Sequence, residues 1–195
     1  MGIAGISGST KLGSGEPPLP NSVVKPILGI DPAMITTGYG VIRGSGNRSS
    51  LLEAGVIRVA RSGAIEKRLQ ELFDGINELL QQYQPEAMAI EQLYSHYDRP
   101  TTAIIMGHAR GVICLAAAQA NVPVFHYEAT KVKKLMTGNG RASKEQMQRA
   151  VQHQLSLSRP LEPADVADAL AIALTHQHHK LLGDLSNNTL KEPSL

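Results

Sequence analysis

Several features that would place a protein in a special class are scarce in this chain. It has one cysteine, Cys114, so no internal disulfide can form and nothing calls for an oxidising compartment. Cys114 sits in an apolar helical pattern and reads as a buried small side chain, because a nucleophilic thiol wants an electropositive, partly open setting. No apolar stretch reaches the roughly 20 residues that a membrane span needs. The first residues contain no continuous apolar h-region, and Ile6 stands where a myristoylation signal has Ser or Thr, so a cytoplasmic protein is expected. The net charge of +2 is too small to identify a nucleic-acid partner, and the placement of the charges matters more than their sum. Gly138 and Gly140 lack the Walker lysine of a phosphate loop and read as helix punctuation. His176, His178 and His179 have no zinc spacing and are expected as surface residues or cations near the end of a helix.

What is present suits one globular domain: 195 residues, 42% apolar and 18% charged. Residues 1–24, rich in Gly, Ser and Pro, read as a disordered extension, residues 25–182 as the folded domain, and residues 183–195 as a polar tail. The domain is organised around PILGIDPAMITTGYGVIR, from Pro26 to Arg43. Ile27, Leu28 and Ile30 form a buried strand that closes on Asp31 and Pro32. Gly38 and Gly40 then suggest a tight connection into a second strand. A third strand spans 50–60, with Gly55 as a bulge, so three strands follow one another as a meander.

Helical spacing of Leu69, Leu72, Phe73, Ile76, Leu79, Leu80 and Tyr83 predicts a helix from Ile65 to Tyr83, ended by Pro85. A fourth strand at 87–93 also closes on an acid, Glu91. Residues 100–121 form a long helix so apolar that it must be buried on more than one side, in part against another subunit. A fifth strand at 122–127 precedes a short helix with Lys131, Lys133 and Lys134. Ser143, with Gln146 three residues on, predicts a capping box, and a last helix begins near Pro163.

Two acids thus end core strands, and two more, Asp165 and Asp168, share the first turn of the last helix. A strand-end Asp is often a turn former, and acids in a first turn complement the helix dipole. Asp168, however, runs directly into the apolar ALAIAL. If the two strands are neighbours and the helix crosses them, the four carboxylates converge, and like charges held together demand cations. An all-oxygen donor set without Cys or His suits Mg²⁺ or Mn²⁺. Two such ions, about 3.5 to 4 Å apart, drive in-line phosphoryl displacement, which is nuclease chemistry.

Three motifs carry a resemblance to a known family: GIDPxxxxTGYGVI from Gly29 to Ile42, AIEQ from Ala89 to Gln92, and ADxADALAIAxTH from Ala164 to His176. In this order and spacing the chain resembles RuvC, the bacterial crossover junction endodeoxyribonucleases. The resemblance implies an α/β, ribonuclease H-like fold: a five-stranded mixed sheet, three antiparallel strands then two parallel, flanked by helices. It implies a homodimer that nicks two like-polarity strands of a Holliday junction, with Mg²⁺ as cofactor, Mn²⁺ able to substitute and two ions per subunit. Asp31, Glu91, Asp165 and Asp168 take the catalytic and metal-binding positions. Tyr94 takes a DNA-stacking position, and Lys133 and Lys144 take positions of functional lysines near the DNA. The RuvA and RuvB branch-migration proteins are the implied partners besides four-way junction DNA. The chain departs from the pattern at Ala33, where the family usually has glycine, and in the extension before Lys25.

The residues themselves support parts of this. Stacking of Tyr94 on an exposed base would be worth about 1 to 3 kcal/mol, the alternative being an aromatic that only covers the sheet edge; Tyr97 has less to recommend it. Lys131, Lys133, Lys134, Arg141, Lys144 and Arg149 make the densest basic segment, ordinarily a solvated helix face. Beside four carboxylates it reads instead as a surface that neutralises phosphates. An actin-like ATPase also places a phosphate loop after an Asp, but needs a second such loop and a much longer chain.

Overall fold

In the computed structural model, which describes residues 24–45, 48–92, 100–159 and 161–189, the apolar run before Asp31 is strand β1 (Ile27–Asp31). It lies at the centre of a five-stranded sheet of order β3-β2-β1-β4-β5. The other strands are β2 (Thr36–Ser45), β3 (Arg48–Arg58), β4 (Ala87–Glu91) and β5 (Val124–Tyr127). β1 pairs antiparallel with β2, and β2 with β3, while β4 runs parallel to both β1 and β5. This is the mixed sheet expected from the sequence.

The helices are α1 (Ile65–Tyr83), α2 (Pro100–Gln119), α3 (Ala129–Thr137), α4 (Lys144–Gln154) and α5 (Ala164–Thr189). Because side chains alternate across a strand, β1 feeds two cores. Leu28 and Ile30 join Tyr39, Val41, Met88 and Ile90 under α1 and α2. Ile27 joins Ile42 and Ala89 under α4 and α5. Covered on both faces, β1 and β4 read as continuous apolar runs. The predicted stripe of α1 is its buried face, at Leu72, Ile76, Leu79 and Leu80, and the helix ends where Gln84 turns left-handed before Pro85. The capping box forms as predicted: the Ser143 hydroxyl accepts from the Gln146 N–H and the Gln146 side chain accepts from the Ser143 N–H.

Several expectations need correcting. The β2–β3 register shifts between Val41 and Ile42, opposite Glu53 and Leu51, so the extra residue is Leu52 and not Gly55. Gly55 faces Tyr39, where a Cβ would come within 2.8 Å of the phenol oxygen. Gly38 and Gly40 lie inside β2; the tight connection comes earlier, where the Thr37 hydroxyl donates to the Ala33 carbonyl at 2.5 Å and accepts from the Ala33 N–H at 3.2 Å. Cys114 is half-buried. α5 continues through Thr189, past the start of the expected polar tail, while residues 1–23 of the expected extension lie outside the described residues.

α2 departs most. By length and composition alone it is long and apolar enough to cross a membrane, a test that core helices of soluble proteins also meet. Only one face is buried, at Ala109, Ile113, Ala116 and Ala117, and it faces the α1 side of the core. Ile104 and Leu115 are 61% and 52% exposed.

Candidate active site

α5 reaches the sheet because β1 and β2 present glycine to it. A Cβ on Gly29 would lie 2.1 Å from the Ala169 carbonyl oxygen, one on Gly38 2.2 Å from that of Asp165, and one on Gly40 2.4 Å from Leu170 Cδ2. Gly29 pairs with Gly40, and Gly38 with Asp31, so the same sheet face that seats the helix carries the Asp31 carboxylate. The first turns of α5 therefore deliver Asp165 and Asp168 to the end of β1. The strongly apolar run after Asp168 fixes the helix axis: Ala169 to Ala173 are wholly buried.

Ligand oxygens of Asp31, Asp165 and Asp168, all half-buried, lie within 4.8 Å of one another. Glu91 stands outside this trio but next to it, at the end of the strand parallel to β1. Burial, then the charges of Glu91, Asp168 and Asp165, push the Asp31 carboxyl up to about 8, against the pull of Lys144. Glu91 is raised by burial and by Asp168, with Lys133 and Arg110 opposing. Asp168 is raised by burial; Lys144 is the main opposing influence, Asp165 adds to the rise, and Lys133 also opposes it. Acids that raise each other in a half-buried cleft favour either protons or cations. The donor set is all carboxylate oxygen, which fits a hard divalent ion and not zinc.

The basic segment divides. Lys133, on α3, and Lys144, the first residue of α4, act electrostatically on the carboxylates. Lys131 is instead held by Glu128 at 2.9 Å on the exposed side of α3. Tyr94 and Tyr97 lie outside the described residues.

One residue near the site was missed by the sequence reading, and another, away from it, was misplaced. Arg110, on α2, donates to the backbone carbonyl of Glu91 and meets His126 Nδ1. The available signal was that Arg110 is the one Lys, Arg, Asp or Glu in α2. His176 is also not where it was expected. It is 6% exposed and mid-helix, with Nδ1 2.8 Å from the Tyr127 hydroxyl and its ring tilted against Phe125 at 4.4 Å. Burial holds it below the usual histidine range. A cavity of about 420 Å³ beside it is lined by these rings with Glu86 and Lys180, and no predicted site residue borders it.

A ribonuclease H-like sheet whose central strand ends in an acid, joined by acids from a helix seated across it, defines a class: nucleases that work with metal ions. The model of one family, crossover junction endodeoxyribonuclease RuvC, matches residues 27–176. The RuvC of Rhodopirellula baltica is 57% identical over 166 residues, covering 85% of this chain and 90% of that one. Among solved structures, Thermus thermophilus RuvC in complex with Holliday junction substrate superposes with a TM-score of 0.77 at 32% identity, covering 82% of this chain and 96% of that one. The yeast mitochondrial Holliday junction resolvase Ydc2, at 13% identity and a TM-score of 0.58 over 84% of this chain and 86% of that one, shares the fold. The chain belongs to the RuvC family.

Proposed function

We propose that this chain resolves four-way DNA junctions by hydrolysing phosphodiesters at Asp31, Glu91, Asp165 and Asp168. It is a crossover junction endodeoxyribonuclease acting in recombination and repair. The observation that carries the site assignment is the convergence of Asp31, Asp165 and Asp168 oxygens within 4.8 Å, with Glu91 beside them. The carboxylates would hold two Mg²⁺ ions, for which Mn²⁺ would substitute, and which would supply activation of water and stabilisation of the leaving oxygen in an in-line displacement.

The chain's own groups do the rest. Burial and mutual repulsion push the Asp31 carboxyl up to about 8, so near neutral pH it keeps its proton until a cation takes the proton's place. Lys133 and Lys144 flank the carboxylates and meet the phosphates of the strand to be cut. Tyr94 stacks on a base exposed at the junction. Two subunits associate through the exposed apolar face of α2, around Ile104 and Leu115, so that two sites act on strands of like polarity. RuvA and RuvB supply the junction to this dimer, as the family resemblance implies.

Incision of a mobile synthetic junction in Mg²⁺, compared with linear duplex, tests the reading. The expected result is paired, symmetric nicks in the junction and little cutting of the duplex. No incision, or equal cutting of both, overturns it.

A further inference from the structure

We propose that Arg110 is a positioning residue for the carboxylate site, tying the end of β4 and with it Glu91 to β5. This rests on the reading that the carboxylates hold divalent ions. Arg110 projects from a helix with no other fixed charge, between the buried residues Ala109 and Ile113, and is itself half-buried. Its guanidinium spans two acceptors on adjacent strands: Nη1 donates to the Glu91 carbonyl oxygen, and Nη2 meets His126 Nδ1. A guanidinium only donates, so Nδ1 of His126 is the acceptor and that ring is neutral when the contact is made.

The strand end needs such a tie. The β4–β5 ladder finishes at Glu91 opposite Tyr127, with one more bond from the Gln92 N–H to the Tyr127 carbonyl at 2.8 Å. Past that bond, Arg110 of α2 supplies a donor to the Glu91 carbonyl. Equally telling is what the guanidinium leaves alone. It takes the backbone oxygen of Glu91, so the carboxylate oxygens stay available for a cation, while a fixed positive charge close by offsets part of the cost of gathering four acids. Groups of this kind, one step behind the atoms that hold a metal, orient the ligands, and their removal costs about 10- to 100-fold in metal affinity.

The test uses the full chain and Mn²⁺ as probe, in Arg110→Met, Arg110→Lys and His126→Ala, with Asp31→Asn as reference. Mn²⁺ binding is followed by electron paramagnetic resonance without DNA, beside thermal melting and junction binding in EDTA over a salt series. Arg110→Met should weaken Mn²⁺ binding by about tenfold or more, and leave junction affinity in EDTA within about twofold of the parent. Arg110→Lys keeps the charge but reaches one acceptor, so it should recover part of that loss; His126→Ala should lose less than Arg110→Met. Unchanged Mn²⁺ affinity in all three variants, with lower melting midpoints, would make Arg110 a brace and overturn the proposal. So would unchanged Mn²⁺ affinity with weaker junction binding and a shallower salt dependence, which would make it a phosphate contact. In either case Asp31→Asn still loses Mn²⁺, so the carboxylate reading survives; if Asp31→Asn binds Mn²⁺ like the parent, both readings fall.

Discussion

Glu53 and Asp31 are half-buried carboxylates on opposite faces of one sheet, and their neighbours differ in kind. Glu53, on the α1 side, accepts from the hydroxyl of Tyr39 at 3.0 Å and from that of Tyr83. Burial together with the Glu53 carboxylate raises both phenols, so they keep their protons and remain donors. Asp31, on the α5 side, meets the charges of Glu91, Asp168 and Asp165, and the charge that opposes them is that of Lys144. Half-burial therefore has opposite consequences on the two faces. A carboxylate supplied with donors braces the fold, whereas one supplied with other acids is a standing cost that only a proton or a cation relieves.

Asp31→Asn attacks this contrast most strongly. A metal supplies several kcal/mol of transition-state stabilisation, so losing a ligand should slow junction cleavage by about a thousandfold or more, while junction binding in EDTA persists. Saturated nicking rates and gel-shift affinities check both halves. The same variant should show the reverse effect on stability. The Asp31 carboxyl is raised from 3.8 to about 8, so the folded state holds its proton more tightly than the unfolded one. The stabilisation this brings is complete below about pH 4 and is lost as the pH rises through about 8. Without metal, melting midpoints of the parent should fall across that window and those of Asp31→Asn should fall less. Parallel curves would show that Asp31 titrates normally.

Glu53→Ala should have the opposite profile, with a smaller effect. It strands two phenol donors, one of them fully buried, and should cost about 1 to 3 kcal/mol in urea unfolding while leaving the saturated nicking rate unaltered. A slower rate at unchanged stability would move Glu53 from the brace to the chemistry.

Which side of this contrast was legible in the sequence follows from its physics. Asp31 and Glu91 could be read because each ends an apolar run, and Asp165 and Asp168 because they precede one; burial beside charge is a local pattern. The strands and α1 were legible from apolar periodicity, whereas the parallel pairing of β1 with β4 came only with the family resemblance. Glycine is ambiguous by nature: Gly38 and Gly40 read as a turn, yet they are the floor on which α5 lies, and no sequence period says which element approaches. His176 was misread because its burial depends on β5, about 50 residues earlier, through Phe125 and Tyr127. Arg110 escaped because its two partners belong to different strands. The Leu52 bulge left no glycine to mark it.

The smallest expected effect concerns the cations beside the acids. Lys144 bears on Asp31 and Asp168, and Lys133 on Glu91 and Asp168, and each lysine has two possible roles: to serve the carboxylates alone, or to meet the phosphates of bound DNA as well. The two roles separate by salt. A lysine that meets a phosphate releases a counterion, and its alanine variant should lower the slope of log affinity against log salt by about 0.9. Lys131 provides the internal control, because Glu128 already neutralises it, so Lys131→Ala should leave the slope nearly unchanged. A lysine that also steadies charge developing at the cut phosphate should slow the saturated rate, since that contact strengthens in the transition state. The expected result is a reduced slope for both Lys133→Ala and Lys144→Ala, with a slower rate in at least one. Unchanged slopes and rates in both would mean that the pair only offsets the repulsion among the acids, and that DNA reaches them across another surface.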